Sequence, residues 1–344
     1  MGAWSRGPIE AYRALEAAAG ARFNTRASFQ PTHYVWNRGL ALLCDHNGGF
    51  DFVRRQRGSG HPAIRFAPSA YEGIRDGDLV WVRVTALPQF WDEVLPHIHA
   101  RFALVTGDDD WAIPTGFEHS SDILANQNVV CWFTQNCDGT DRSGKVVPIP
   151  IGIDFHTISN RHKWGHWQAT PRQQEVELES LRATMPANGD RLVRARADFH
   201  FNMRANLFTG ESRDAVYAIL HDNPNVDFQR HKIPRSGLWR ETTRYAFAIS
   251  PHGHGLDCHR SWEALVLGSI PIVQRSPLDP LYEGLPVVIL DDWREITANN
   301  LQHWHAELHS SFLEAGVQER LSNSYWIARM RRMLAERIAR ELRV

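Results

Sequence analysis

Short apolar runs recur along this chain, and most have the length of a buried strand rather than a helix. Residues 78–85 (DLVWVRVT), 102–106 (FALVT), 128–134 (NVVCWFT) and 146–153 (VVPIPIGI) show the near-continuous hydrophobicity of parallel strands covered on both faces. Residues 87–98, with apolar positions at Phe90, Val94 and Leu95, predict the helix after the first run, and residues 8–20 predict another, with Ile9, Tyr12 and Leu15 on one face. Four strands separated by helices or loops predict one αβ domain with parallel pairing, over residues 1–160. A polar stretch follows, in which residues 170–185 read as an exposed helix of Glu, Gln and Arg, and residues 161–190 are the expected connecting segment. The strand pattern then resumes at 192–201, 226–228, 245–249, 270–273 and 287–290, with a helix over 211–221, predicting a second αβ domain over 191–300. Residues 301–344 read as C-terminal helices. The last stretch, from 321, has its apolar positions at Tyr325, Ile327, Met330, Leu334, Ile338 and Leu342 and many arginines. It would lie on an anionic membrane or pack back across both domains.

The most informative stretch is residues 245–274, YAFAISPHGHGLDCHRSWEALVLGSIPIVQ. An apolar run is followed by a turn holding Pro251, Gly253 and Gly255, then by a helix starting at Asp257 or Cys258 with Trp262, Leu265 and Val266 on its apolar face. Glycine permits positive φ and close approach of backbone to a ligand. In a parallel αβ sheet such a loop lies at the carboxyl edge, where the helix start offers free N–H groups and a partial positive charge. A phosphate or diphosphate suits it, and His252, His254, His259 and Arg260 would neutralise more of the charge. The dinucleotide fingerprint is not met, because Cys258 stands at the third glycine position. Glu263, one helical turn after His259, is placed to accept both hydroxyls of a ribose.

The combination SP-x-G-x-G, HR-x-x-EAL and G-x-IP-x-V within that stretch, with DPLYEGLPVVILDDW after it, resembles the donor-binding half of exostosin-type glycosyltransferases and their xylosyltransferase-like relatives. WFTQN and PIPIGID resemble the acceptor half of the same group less specifically. The resemblance implies an α/β, GT-B architecture: two facing Rossmann-like domains with parallel sheets and an interdomain cleft. It makes residues 1–160 the acceptor side and 191–300 the nucleotide-sugar side. It further implies that Gly253 and Gly255 form the diphosphate loop, that Arg260 contacts phosphate, and that Glu263 accepts ribose or sugar hydroxyls. Ser250, His252, His254, Asp257 and His259 complete the expected donor site, and Arg204 and Arg213 flank another strand-to-helix junction where either would face phosphate or merely solvent.

Composition narrows the function. A formal net charge of −1 removes the global basic field that draws proteins to nucleic acid, so anion recognition must be local. Four cysteines without a CxxC pair suit a reducing compartment, and the first residues lack the apolar core of a signal peptide, so a cytoplasmic protein is expected.

Sugar transfer needs a stabilised leaving diphosphate, a positioned donor and, for inversion, a base for the acceptor hydroxyl. The loop after the second strand, Gly107-Asp108-Asp109-Asp110, supplies candidates: Asp110 first and Asp109 second, with Asp108 capping the next helix. Glu118 and His119 follow close by. His33, Asp45 and His46, in the irregular segment 23–50, would touch an acceptor or line a polar surface. The expected reaction is inverting transfer to a glycan or polysaccharide, with no metal or cofactor beyond the nucleotide sugar. Two other classes remain open: a non-catalytic nucleotide- or glycan-binding module, and a metallohydrolase using His252-x-His254 with His259.

Overall fold

The structure is a computed structural model and describes residues 31–49, 66–160, 163, 165–200, 206, 208–229 and 231–341. The predicted helix over residues 8–20 and the candidate Arg204 lie outside the described residues.

The first αβ unit is built on β1 (Leu79–Arg83), β2 (Phe102–Gly107), β3 (Val129–Thr134) and β4 (Val146–Pro148), hydrogen-bonded in that order. Every pairing is parallel. β2 and β3 are buried along their whole length, as their unbroken apolar sequence requires of strands covered on both faces. The fourth strand ends at Pro148, earlier than its apolar run, because the chain there turns away to meet the N-terminal segment: Trp36 and Gly152 form an antiparallel bridge. Gly152 has φ +67°, and a Cβ there would stand 2.1 Å from the Val35 carbonyl oxygen, so the crossing admits glycine alone.

The second unit carries β5 (Leu192–Ala197), β6 (Val226–Phe228), β7 (Tyr245–Ile249), β8 (Ile270–Gln274) and β9 (Val288–Leu290). Their order is β6-β5-β7-β8-β9, again all parallel. The chain leaves β5 in one direction and returns to its other side as β7. The carboxyl ends of β5 and β7 therefore form the topological switch point where doubly wound sheets bind ligands.

The helix Pro171–Thr184 links the two units, opened by a reciprocal capping box between Thr170 and Gln173. It is not the exposed polar helix that its composition suggests: Gln174 and Glu175 are buried. Glu175 accepts from the amides of His33 and Tyr34, and Gln174 donates to the carbonyls of Phe155 and Ala169. Polar side chains are buried here because they satisfy backbone that would otherwise be orphaned.

The terminal helix Asn323–Glu341 resolves its two sequence readings in favour of packing. Trp326, Met330 and Leu334 are buried, Arg331 pairs with Asp45 at 2.9 Å, and Arg337 donates to the Gly144 carbonyl at 2.7 Å, all on the first unit. Trp326 meets Trp262 of the second unit edge-on at 6.2 Å. The helix's apolar positions Trp326, Met330 and Leu334 are thus engaged within the molecule. Among the described residues no helix is long and apolar enough to cross one.

Candidate active site

The two sheets point their carboxyl edges at one cleft of about 1320 Å³. Asp108, Asp109, Asp110, Gln135, Asp154 and His156 line it from the first unit, and Asp198, Arg235, Gly253, His254, His259, Arg260 and Glu263 from the second. The triple-aspartate corner and the glycine loop, far apart in sequence, thus line the same space.

The three aspartates divide by function. Asp108 takes φ 66° and turns its carboxylate inward. It accepts from Asn37 Nδ2 at 3.0 Å and Arg38 Nε at 3.1 Å, and pairs with Arg83 at 2.9 Å. Burial alone would raise its carboxyl, but Arg38 and Arg83 outweigh that and hold it down at about 2. It caps no helix, contrary to the sequence expectation, because two buried guanidinium groups claim it instead. Asp109 is exposed and Asp110 half-buried, both on the cleft, with the Asp110 amide donating to Asp109 Oδ1 at 2.8 Å.

Across the cleft the glycine loop leads into the helix His259–Val266, whose N-cap is Cys258. Neither Gly253 nor Gly255 has positive φ; what they provide is room. A Cβ on Gly255 would stand 2.6 Å from Asn136 Oδ1. That oxygen accepts the Leu256 amide at 3.1 Å while Asn136 Nδ2 donates to the Asp109 carbonyl at 3.1 Å, so one side chain ties the glycine loop to the aspartate corner. Asn206 holds the loop from behind by donating to both the Gly253 and Gly255 carbonyls at 3.0 Å.

Several expected donor contacts are structural instead. Ser250 is buried and shares a hydrogen bond with Ser261 at 2.8 Å. His252 does not line the cleft; its Nδ1 faces the Leu256 carbonyl at 2.9 Å, and burial depresses its pKa. Asp257 borders the cleft, but its oxygens accept from the Ile151 amide at 2.8 Å and from Trp262 Nε1. The first of these bonds joins the two units, and burial raises the Asp257 carboxyl. Arg213 is buried and donates to the His252 carbonyl at 3.0 Å, bracing the loop. His252 and Arg213 are recruited because a buried nine-residue excursion must satisfy its own backbone.

The cationic residues lining the cleft include Arg260, Arg235, Arg213 and Arg196. Asp198, which follows β5, accepts from Arg260 Nε and pairs with Arg196 at 2.8 Å. Arg235 lies 4.3 Å over the Trp239 ring and donates to Gln174 at 2.8 Å and to Glu263 Oε1 at 3.1 Å. Glu263, one turn into the helix, uses Oε1 for that bond and also lines the cleft. His259 donates Nδ1–H to the Gly152 carbonyl at 2.6 Å, which leaves Nε2 as an acceptor. Beside it, Asp154 and His156 complete a group whose ligand atoms lie within 4.8 Å of one another. Burial holds His156 neutral, down at about 3, against the opposing pull of Asp154. Burial also acts to raise Asp154, but its surroundings, Arg235 and the Thr157 amide among them, outweigh it and keep that carboxyl below its usual range.

No protein-family model matches this chain, and no curated protein does. Solved structures to which it is similar include an α,α-trehalose-phosphate synthase (UDP-forming) from Burkholderia xenovorans in complex with glucose-6-phosphate, at 13% identity over 76% of this chain and 74% of that one, with TM-score 0.40. Another is the N-terminal domain of Candida albicans trehalose-6-phosphate phosphatase, at 12% identity over 77% and 73%, with TM-score 0.37. A third is an α-glucosyltransferase in complex with UDP and mismatched DNA, at 11% identity over 73% and 75%, with TM-score 0.32.

The cleft also separates what sequence reasoning found from what it missed. His254, His259, Arg260, Glu263, Asp109 and Asp110 are brought together as expected. Glu118 and His119 lie elsewhere, His119 stacked on Trp91 with ring centroids 3.7 Å apart. Asp45 pairs with Arg331, His46 lies 3.2 Å from Asp78, and neither they nor His33 line the cleft. The His252, His254 and His259 trio is not assembled, because His252 faces away. Arg235, Asp154, His156 and Asp198 were missed. The basic run HKIPRSGLWR and the segment PIPIGIDFH are the signals that contained three of them.

Proposed function

We propose that this protein transfers a sugar from a nucleotide-sugar donor to a hydroxyl of a glycan acceptor, as a GT-B glycosyltransferase. The observation that carries this reading is the sharing of one cleft by the switch point of the second sheet and the aspartate corner of the first. The helix His259–Val266 begins at the cleft with no side-chain cap, so its positive end favours a diphosphate there, and Arg260 and Arg235 add charge that is already oriented by Asp198 and Glu263. Glu263 Oε2 receives a ribose or sugar hydroxyl. Asp110, on the same cleft, takes the proton from the acceptor hydroxyl as it attacks the anomeric carbon, and inversion follows from that one-step displacement. The exostosin-like motif supports the same assignment of donor and acceptor sides and makes a growing polysaccharide or glycan the natural acceptor.

The reading is tested by thermal shift against nucleoside diphosphates and nucleotide sugars, since a ligand bound only by the folded state raises the melting temperature. A diphosphate that stabilises the wild-type protein and binds Glu263→Ala more weakly in calorimetry is the expected result. No stabilisation by any nucleotide, or unchanged affinity in the variant, would remove the donor site.

A further inference from the structure

His259 opens a helix of the second unit, and Asp154 and His156 follow the last strand of the first, yet the three side chains converge at the junction. All three border the cleft. We propose that Asp154, His156 and His259 form a site for a divalent transition-metal ion, with the remaining coordination positions open to the cleft. This goes beyond the transfer reading and does not depend on it, and it revises the sequence expectation of a metal-free site.

Three features of the cluster point to an ion. Its donor set, two imidazoles and one carboxylate, suits zinc, manganese or ferrous iron rather than magnesium or calcium, which take all-oxygen shells. Three protein ligands also leave positions free, as catalytic rather than structural metal sites do. The second feature is orientation. His259 donates Nδ1–H to the Gly152 carbonyl at 2.6 Å, the outer-shell bond that fixes the tautomer and ring plane of a metal-binding histidine and leaves Nε2 to coordinate. Asp154 is steadied in the same way, its Oδ1 accepting the Thr157 amide at 2.9 Å.

The third feature is the pair itself. His156 Nδ1 lies 3.1 Å from Asp154 Oδ1, yet that nitrogen is buried and makes no hydrogen bond. A close contact without hydrogen-bond direction is costly if nothing else is present. It is the expected spacing for two ligand atoms on one ion, about 3 to 3.5 Å when each bond is about 2.1 Å. The His156 and His259 rings lie 5.3 Å apart, inclined at 51°, and the ligand atoms of all three residues lie within 4.8 Å of one another.

The decisive experiment is equilibrium titration of the full chain, first stripped with EDTA, with Zn²⁺ and with Co²⁺, alongside elemental analysis of protein purified without chelator. One equivalent of bound ion is expected, with visible Co²⁺ absorption. His259→Ala and His156→Ala should each weaken binding by at least about 100-fold, beyond the loss of an outer-shell partner, whereas His252→Ala should bind as the wild type. Failure of the wild type to bind an equivalent, or binding unaffected in both variants, overturns the site. Should the variants not fold, X-ray absorption of the zinc-loaded wild type decides: two imidazoles with oxygen support it, and a shell lacking histidine overturns it. Because no nucleotide enters these measurements, their outcome is separate from that of the donor screen.

Discussion

The two corners that line the cleft use their polar residues in opposite ways. After β2 the chain makes a short turn, and of its three aspartates Asp108 gives its carboxylate to two guanidinium groups, while Asp109 and Asp110 both line the cleft. After β7 the excursion is longer and buried, and Ser250, His252 and Asp257 are all committed to bracing it, helped by Asn206 and Arg213. Polar residues beside a site therefore report two quantities at once: the chemistry done there and the amount of backbone that must be satisfied away from water. A short, open corner shows mostly the first; a long, buried one shows mostly the second.

The contrast is broken most severely by Asp110→Ala. Its transfer rate should fall by about a hundredfold to ten-thousandfold, the usual loss for a general base, while nucleotide affinity measured by calorimetry stays at the wild-type value. Loss of nucleotide binding would show that the two corners are not divided as described.

Next in size is Asp108→Asn, which leaves the fully buried Arg38 without its carboxylate. It should cost about 3–5 kcal/mol in denaturant unfolding, whereas Asp110→Asn should stay within about 0.5 kcal/mol. The same pair sets a pH dependence. The folded-state pKa of Asp108, about 2, lies below the unfolded value, so its contribution is complete above the unfolded pKa of about 4 and is lost as pH falls towards 2. Wild-type stability should drop more steeply through that window than that of Asp108→Asn, by on the order of 2 kcal/mol; parallel curves would deny the pairing.

The smallest expected effect tests whether the corners touch. Gly255→Ala should cost about 1–3 kcal/mol through its clash with Asn136. In an Asn136→Gly background, where the positive φ of 51° is free of strain, most of that cost should vanish. Additive costs in the double-mutant cycle would mean that the corners fold independently.

Much of this molecule was legible in one dimension. Tyr245–Ile249 and Ile270–Gln274 form strands where unbroken apolar runs predict them, and the helix between ends before Gly268, which takes φ 72°. These are local consequences of period, glycine placement and chain stiffness. The Gln174 and Glu175 pair was misread because composition records only that a residue is polar, not that a distant backbone needs it. Ser250, His252 and Asp257 were misjudged for the same reason.

The sequence by itself determined two parallel αβ units, the glycine loop and the acidic corner, because each depends on residues close together in the chain. Only the tertiary structure decided that Asp108 is claimed by Arg38 and Arg83, that Asn136 locks one corner to the other, and that Asp154 and His156 meet His259, more than a hundred positions further along. Side-chain pairing across a domain junction depends on distances that no periodic pattern encodes, so partners and free groups become distinguishable once the two sheets are brought together.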